Sequence, residues 1–274
     1  MNPFENILSA VRQKRPLVHF ITNYVTVNDC ANMTLALGGS PIMADDLREV
    51  EQIVGHCSAL VLNSERTVES MLAAGKEANR LGRPVVFDPV GVGASHFRNE
   101  TAAMLLREVR FDVIKGNISE IAYLAEGIGT TKGVDANLDA LSTEGNLRWH
   151  TDLARKVSTQ TGAAIVISGP IDIVADSHEA WAIRNGHPMM ANITGTGCMS
   201  AGVIGCCVGA DPQALLPSCV CAMSAMGICG ELAYEKLLSV DGGSGTYRVL
   251  LMDAMSKLDG ATLTRRSKAE RLRI

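Results

Sequence analysis

The most chemically informative stretch of the chain runs from Asn192 to Ser200 and reads Asn-Ile-Thr-Gly-Thr-Gly-Cys-Met-Ser. Gly195 and Gly197 flank a threonine, and Cys198 opens a small-residue apolar segment that is predicted to be helical. The first turn of a helix presents unpaired backbone N–H groups and a partial positive charge. We therefore predict that this loop binds a phosphate or a developing oxyanion. Cys198 would lie at the junction between the loop and the helix, where its side chain could contact the bound group.

Polar residues with possible chemistry also follow three predicted strands. Asp88 ends a buried strand, where a carboxylate can hold Mg²⁺ through water; a turn or capping aspartate is the alternative. Lys115 supplies a cation for a nucleotide phosphate, although an exposed lysine is the more common situation. Ser168 offers a hydroxyl to a nucleotide phosphate, and a plain turn explains it equally well.

Asn117 and Glu120 are spaced as at the start of a helix. The common interpretation is a cap, in which Asn117 is the N-cap and Glu120 reaches back to it. The functional interpretation is that both residues organise a magnesium shell near phosphates. On spacing alone the capping interpretation is the better one.

The elements that must position these residues alternate between short apolar runs and longer amphipathic stretches. The predicted strands are Leu17–Thr22, Ser40–Met43, Ala59–Asn63, Pro84–Asp88, Asp112–Lys115, Ala163–Ser168, Ile171–Ala175 and Trp181–Arg184. The predicted helices are Val27–Leu37, Leu47–Val54, Glu65–Leu81, Glu100–Arg107, Ser119–Ala125, Thr151–Thr161, Cys198–Gly209, Pro212–Leu238 and Gly245–Leu258. This alternation predicts an α/β fold with a doubly wound, mostly parallel sheet, which the last two strands extend as an edge hairpin.

One domain over residues 1–274 is the simplest organisation, with Gly127–Gly145 as its longest loop and a helical C-terminal part. In such sheets ligands bind beyond the carboxyl ends of the strands. Asn23, Asp88, Lys115 and Ser168 should therefore share one edge of the sheet with the glycine loop.

Composition excludes several classes of protein. The formal net charge of -4 argues against a nucleic-acid binder, and the basic cluster at residues 265–273 is predicted to be a solvated end. The eight cysteines and six histidines show no zinc spacing, and we assign no catalytic histidine. The apolar stretches Met189–Ala210 and Pro212–Gly230 are interrupted by polar residues, which favours buried helices over membrane spans. We expect a cytoplasmic protein with reduced thiols.

The glycine loop also excludes two nucleotide-binding classes. It lacks the Gly-Lys-Ser/Thr of a Walker A loop and the G-x-G-x-x-G of a dinucleotide fingerprint. It follows a hairpin and not the first strand, which further disfavours a Rossmann dehydrogenase.

Taken together, the motifs resemble the ribokinase-like superfamily and, within it, the hydroxyethylthiazole kinase family of thiamin biosynthesis and salvage. The resemblance lies in residues 16–25 (PLVHFITNYV), 35–44 (LALGGSPIMA), 87–94 (FDPVGVGA), 114–121 (IKGNISEI), 132–135 (KGVD) and 194–198 (TGTGC). It implies a three-layer α/β/α domain that uses ATP to phosphorylate the primary alcohol of 4-methyl-5-(2-hydroxyethyl)thiazole. It also implies a homotrimer with active sites at the subunit interfaces.

The same resemblance implies a role for each matching residue. The thiazole pocket would be lined by Asn23, Val25, Met43 and Gly195. ATP would be contacted by Lys115, Ser168 and Asn117, and Mg²⁺ would be organised by Asp88 and Glu120. The catalytic group would be the anion hole of Gly195 and Gly197, together with Cys198 near the attacking hydroxyl.

Two positions depart from the family pattern. Lys115 stands where the family often has arginine, so that a bidentate grip on phosphate becomes a point-charge contact. Pro170 replaces the glutamate of the usual Thr-Gly-Glu, which removes a carboxylate near the metal and nucleotide. The alternatives are a superfamily kinase acting on pyridoxal or hydroxymethylpyrimidine, and a catalytically silent ligand-binding trimer.

Overall fold

A nine-stranded sheet forms the centre of the computed structural model, which describes residues 3–63, 67–127 and 144–273. The order across the sheet is β2-β1-β3-β4-β5-β6-β7-β8-β9. The strands are β1 (Leu17–Thr22), β2 (Ser40–Met43), β3 (Ala59–Asn63), β4 (Val85–Phe87), β5 (Val113–Asn117), β6 (Ala164–Ser168), β7 (Asp172–Ala175), β8 (Ala180–Ile183) and β9 (Ala269–Arg271). Pairing is parallel from β2 to β6 and antiparallel from β6 to β9.

Helices cover both faces of this sheet, which completes three layers. They are α1 (Pro3–Lys14), α2 (Val27–Leu37), α3 (Val50–His56), α4 (Val68–Arg80), α5 (His96–Glu108), α6 (Ile118–Gly127), α7 (Leu147–Thr161), α8 (Thr196–Ala210), α9 (Leu215–Leu237), α10 (Ser244–Lys257) and α11 (Gly260–Arg266). A short 3₁₀ helix, Pro188–Asn192, precedes the glycine loop. The predicted α/β fold class is confirmed.

The prediction missed elements at both ends of the chain, and it placed the wrong strand at the edge of the sheet. Residues 3–14 form helix α1, because an apolar stripe packs Phe4, Ile7, Leu8 and Val11 into the core. The basic side chains of the tail are exposed or half-exposed, as predicted, but the tail also forms α11 and then pairs with β8 as strand β9. The β7–β8 hairpin is present, but β9 covers it and occupies the edge of the sheet. Three predicted features lie outside the described residues: the start of the helix at Glu65, the motif at 132–135 and most of the loop Gly127–Gly145.

Helix α9 has the length and apolar composition of a membrane span, and among the described residues it is the one helix that does. In the fold, 78% of its most apolar window is buried against the sheet and the neighbouring helices α8 and α10. The predicted buried core helix is therefore what the structure shows.

Parallel strand register builds a row of polar residues at the carboxyl edge of the sheet. Thr22 pairs with Asn63, and the pairs Leu62–Phe87 and Phe87–Ile114 place Asp88 and Lys115 in the same row. Side chains two residues apart in a strand share a face. The residues two positions earlier all belong to the core under α8, and they are Phe20, Val61, Val86 and Val113. The row Thr22–Asn63–Asp88–Lys115 therefore faces α8.

Candidate active site

A cavity of about 510 Å³ opens at this edge of the sheet, between the strand ends and the start of α8. Most of the residues singled out in the sequence line it. The lining comprises Asn23, Tyr24, Val25, Thr26, Asp88, Val90, Arg98, Lys115, Asn117, Glu120, Ser168, Thr194, Gly195, Gly197 and Cys198. The predicted convergence of strand ends and glycine loop on one edge is confirmed.

The shape of the glycine loop depends on Gly195, which cannot carry a side chain, and on Gly197, which leaves room for Lys115. Gly195, the N-cap of α8, has φ +87°, and a Cβ there would lie 2.6 Å from Cγ2 of Thr26. A Cβ on Gly197 would lie 3.0 Å from Nζ of Lys115. The ammonium of Lys115 thus stands beside the first turn of α8, where backbone N–H groups and the helix dipole also favour an anion.

Lys115 and Asp88 form an ion pair that is almost completely buried, with Nζ 3.6 Å from Oδ2. Only 3% of Lys115 is exposed, which excludes the exposed-lysine alternative. Burial lowers the pKa of Lys115, but the carboxylates of Asp88 and Glu120 raise it to a net value above the ordinary one. Burial raises the pKa of Asp88 to about 6, although Lys115 opposes this shift. The pair carries a charged ammonium at neutral pH.

Cys198 is a buried thiol, and only 7% of it is exposed. Burial raises the pKa of this thiol, and the charge of Asp88 raises it further, while Thr26, Lys115 and Asn23 oppose the shift. The amide Nδ2 of Asn23 donates a weak hydrogen bond to Sγ over 3.6 Å. The helix N-terminus does not turn this cysteine into a thiolate, so it is a protonated thiol at neutral pH.

Glu120 and Asn117 form the reciprocal helix cap that their spacing predicts. The backbone N–H of Glu120 donates to Oδ1 of Asn117 over 2.9 Å, and the N–H of Asn117 donates to Oε2 of Glu120 over 2.7 Å. The second carboxylate oxygen, Oε1, accepts a hydrogen bond from the N–H of Gly91 over 2.8 Å. Glu120 therefore ties the turn that follows Asp88 to the start of α6, and its carboxylate still borders the cavity.

Ser168 sits at the end of β6, where its hydroxyl donates to the carbonyl of Gly116 over 3.4 Å. The next turn is held by Asp172, whose Oδ1 accepts the N–H of Gly169 over 2.9 Å. Burial raises the pKa of Asp172 to about 7. Asp172 gives no signal in the sequence, because one aspartate at the start of a hairpin strand belongs to no motif.

Arg98 is a second residue that the sequence analysis missed. It lines the cavity, and its Nη1 donates to the carbonyl of Val90 in the turn after Asp88. Helix α5 begins at His96, with Ser95 as a hydrogen-bonding N-cap, and not at the predicted position 100. The Ser95 cap was the signal that would have placed Arg98 on a helix beside the site.

The predicted thiazole-pocket residues are only partly brought together in one chain. Asn23, Val25 and Gly195 line the cavity, but Val25 is 70% exposed, as is its neighbour Tyr24. Met43 is not among the lining residues. It ends β2, which is the outermost strand of the sheet on the side opposite β9. The apolar side of the pocket is therefore open.

Comparison with known proteins identifies relatives along the whole chain. A model of the "Hydroxyethylthiazole kinase family" matches residues 8–261. A hydroxyethylthiazole kinase of Desulfovibrio desulfuricans is 55% identical, and the match covers 100% of both chains. One from Clostridium acetobutylicum is 51% identical over 93% of this chain and 95% of its own.

Solved structures show the same relationship at the level of the fold. The hydroxyethylthiazole kinase protein from Pyrococcus horikoshii superposes with a TM-score of 0.88 at 31% identity, covering 100% of both chains. The ADP complex of Bacillus subtilis pyridoxal kinase has a TM-score of 0.58 at 16% identity, over 78% of this chain and 90% of that one. The second likeness shows a shared ribokinase-like fold.

Gly195→Ala should destabilise the protein through two separate effects. A left-handed backbone costs a residue with a Cβ about 1–2 kcal/mol, and the close approach to Thr26 adds a packing cost of about 1–3 kcal/mol. We expect the free energy of unfolding, measured by urea denaturation, to fall by about 2–5 kcal/mol.

Gly162→Ala is the matched control for this substitution. Gly162 also has a positive φ, of +76°, but a Cβ added there would meet no atom within 4 Å. It should lose only the backbone contribution. Equal losses in the two variants would show that contact with Thr26 does not shape the loop.

Proposed function

The chain belongs to the hydroxyethylthiazole kinase family, and from this premise we propose how its residues perform the reaction. The protein is a kinase that phosphorylates hydroxyethylthiazole in thiamine biosynthesis. ATP is the phosphoryl donor, and the acceptor is the primary alcohol of 4-methyl-5-(2-hydroxyethyl)thiazole. The observation that supports the mechanism best is the buried ammonium of Lys115 beside the first turn of α8.

Phosphoryl transfer passes through a loose transition state, so that positioning and charge neutralisation provide most of the catalysis. The backbone N–H groups at Gly195 and Gly197 would receive the transferring phosphoryl oxygens. Lys115 would stabilise the same oxygens from the sheet side, where its Nζ faces Gly197. Ser168, Asn117 and Arg98 border the cavity where the rest of the nucleotide phosphates would lie.

The residues around the cavity fit a magnesium ion held together with the nucleotide. Asp88 and Glu120 supply carboxylate oxygens, which Mg²⁺ prefers, and both border the cavity. Within the described part of the chain, no group of three or more His, Cys, Asp or Glu side chains forms a self-sufficient metal site. We therefore assign Asp88 and Glu120 to the hydration shell of Mg²⁺ that arrives with ATP. When bound, the ion would neutralise charge on the phosphates.

Cys198 lines the cavity and would lie near the attacking hydroxyl, but it is a poor base. Its buried thiol holds its proton at neutral pH, because burial and Asp88 raise its pKa. A loose transition state needs little activation of the nucleophile. We infer that Cys198 mainly shapes the pocket and that the anion hole carries the catalysis.

We propose that the thiazole pocket is completed by a second copy of the chain in a homotrimer. Two observations support this: Val25 and Tyr24 are apolar lining residues that are each 70% exposed, and Met43 does not border the cavity of its own chain. A neighbouring chain that covers Val25 would bury this apolar surface and bring its own residues to the pocket.

We also propose that residues 1–274 form one kinase domain, which the single sheet supports. A cytoplasmic location is proposed with it, because all eight cysteines are buried as free thiols.

The substrate is tested by measuring ATP turnover with three alcohols: the thiazole alcohol, pyridoxal and hydroxymethylpyrimidine. We expect kcat/KM to be highest for the thiazole alcohol. With this alcohol, Asp88→Asn should lower kcat/KM about 100-fold or more, because the organisation of magnesium is lost. Preference of the wild-type protein for either other alcohol would instead support the related superfamily kinases. An absence of turnover with all three would support the silent binding protein.

Cys198→Ser and Cys198→Asp test the minor role of the thiol. Both variants should keep measurable turnover, and kcat of the serine variant should stay within about tenfold of wild type, since a weak base contributes little here. Cys57→Ser, at a cysteine outside the cavity, controls for general effects of losing a thiol. Near-total loss of kcat in both Cys198 variants would mean that the cysteine is essential.

Sedimentation equilibrium tests the trimer. We expect a mass three times that of the 29.1 kDa chain, and we expect Val25→Asp to shift the mass towards one chain, because a buried charge would oppose association. A wild-type protein that sediments as a single chain would contradict the proposal.

A further inference from the structure

The polar row at the sheet edge contains buried atoms that have no hydrogen-bond partner within the described part of the chain. They are Oγ1 of Thr22, both Oδ1 and Nδ2 of Asn63, and Oδ2 of Asp88. Only 1% of Asn63 and 2% of Asp88 is exposed. Buried polar groups in folded proteins nearly always have partners, because an unpaired one has lost its hydrogen bonds to water without replacing them. Several such atoms on three neighbouring strands therefore call for a common explanation.

Register brings these atoms within reach of one another. Thr22, Asn63 and Asp88 occupy the same level of β1, β3 and the end of β4, on the face towards α8. Neighbouring strands lie about 4.8 Å apart, which is the spacing at which amide side chains in register form hydrogen-bonded ladders. Asn63 is the middle member, and it has one acceptor and one donor group.

A second cation in this row is disfavoured by the charge already present. Nζ of Lys115 lies 3.6 Å from Oδ2 of Asp88. This is the same Asp88 oxygen that accepts no hydrogen bond from the described residues. A second positive charge in direct contact with this buried oxygen would be repelled strongly at low dielectric, whereas the Mg²⁺ assigned to Asp88 would be held through its water shell. The unpaired atoms therefore fit a hydrogen-bonded row better than a metal site.

We propose that Asn63 is a positioning residue for Asp88, with Thr22 fixing the orientation of Asn63. The hydroxyl of Thr22 donates to Oδ1 of Asn63, and Nδ2 of Asn63 donates to Oδ2 of Asp88, in each case through one ordered water. Asp88 is then held from one side by Asn63 and from the other by Lys115. This inference rests on the proposed role of Asp88 in organising Mg²⁺.

The experiment measures kcat and, by calorimetry, the Kd for Mg–ADP of the full-length protein. Asn63→Leu removes donor and acceptor at similar size, and we expect a 10- to 100-fold lower kcat and about tenfold weaker Mg–ADP binding. Thr22→Val should show a smaller loss of the same kind, of about threefold, and Thr22→Ser should restore wild-type values because it keeps the hydroxyl.

Val61→Ala is the matched control, since Val61 lies two residues before Asn63 on the same strand and face and is fully buried. It should lower the Tm and leave kcat and Kd within about twofold of wild type. If Asn63→Leu does not fold, the two Thr22 variants test the proposal. A lower kcat in Thr22→Val together with wild-type kcat in Thr22→Ser would support it, and equal kcat in the two variants would contradict it.

Two outcomes would overturn the proposal, and they are distinguishable. Wild-type kcat and Kd in Asn63→Leu and Thr22→Val, with both lost in Asp88→Asn, would overturn the role of Asn63 alone. Wild-type behaviour of Asp88→Asn would overturn the proposed function of Asp88 and this inference with it.

Discussion

The buried ion pair between Lys115 and Asp88 is the interaction on which the rest of the site depends. Each charge would be expensive to bury alone, and removal of one partner from such a pair typically costs about 3–5 kcal/mol. The pair is tolerated because parallel register places both residues side by side at the sheet edge. It also faces the N-terminus of α8, so that a cation and a helix dipole converge on one small volume.

Close packing of α8 on the sheet makes this convergence possible. A Cβ on Gly205 would lie 2.7 Å from Cγ2 of Val61, and one on Gly202 would lie 3.1 Å from the ring of Phe20. Glycine at these positions lets the helix backbone approach β1 and β3, and the start of the helix is thereby fixed against the polar row. A bulkier helix would stand farther from the sheet and leave the ammonium of Lys115 without its facing N–H groups.

The turn after Asp88 shows how structural and functional roles combine in one residue. Glu120 caps α6 and also accepts the N–H of Gly91, so its carboxylate positions the backbone beside Asp88. Capping and metal organisation appeared as alternatives in the sequence. In the fold they are compatible, since the carboxylate that receives the backbone N–H groups of Asn117 and Gly91 still borders the cavity.

The sequence alone determined the alternation of strands and helices between residues 17 and 258 and the place of the glycine loop before a helix, because apolar periodicity and the steric freedom of glycine are local properties. It also determined the family, through motifs whose order does not depend on contacts. Only the tertiary structure decided that Lys115 is buried, that the thiol of Cys198 keeps its proton, and that Asn63 is buried level with Asp88. The solvation and charge environment of these groups come from residues distant in the chain, and the folding of the sheet brings those residues together.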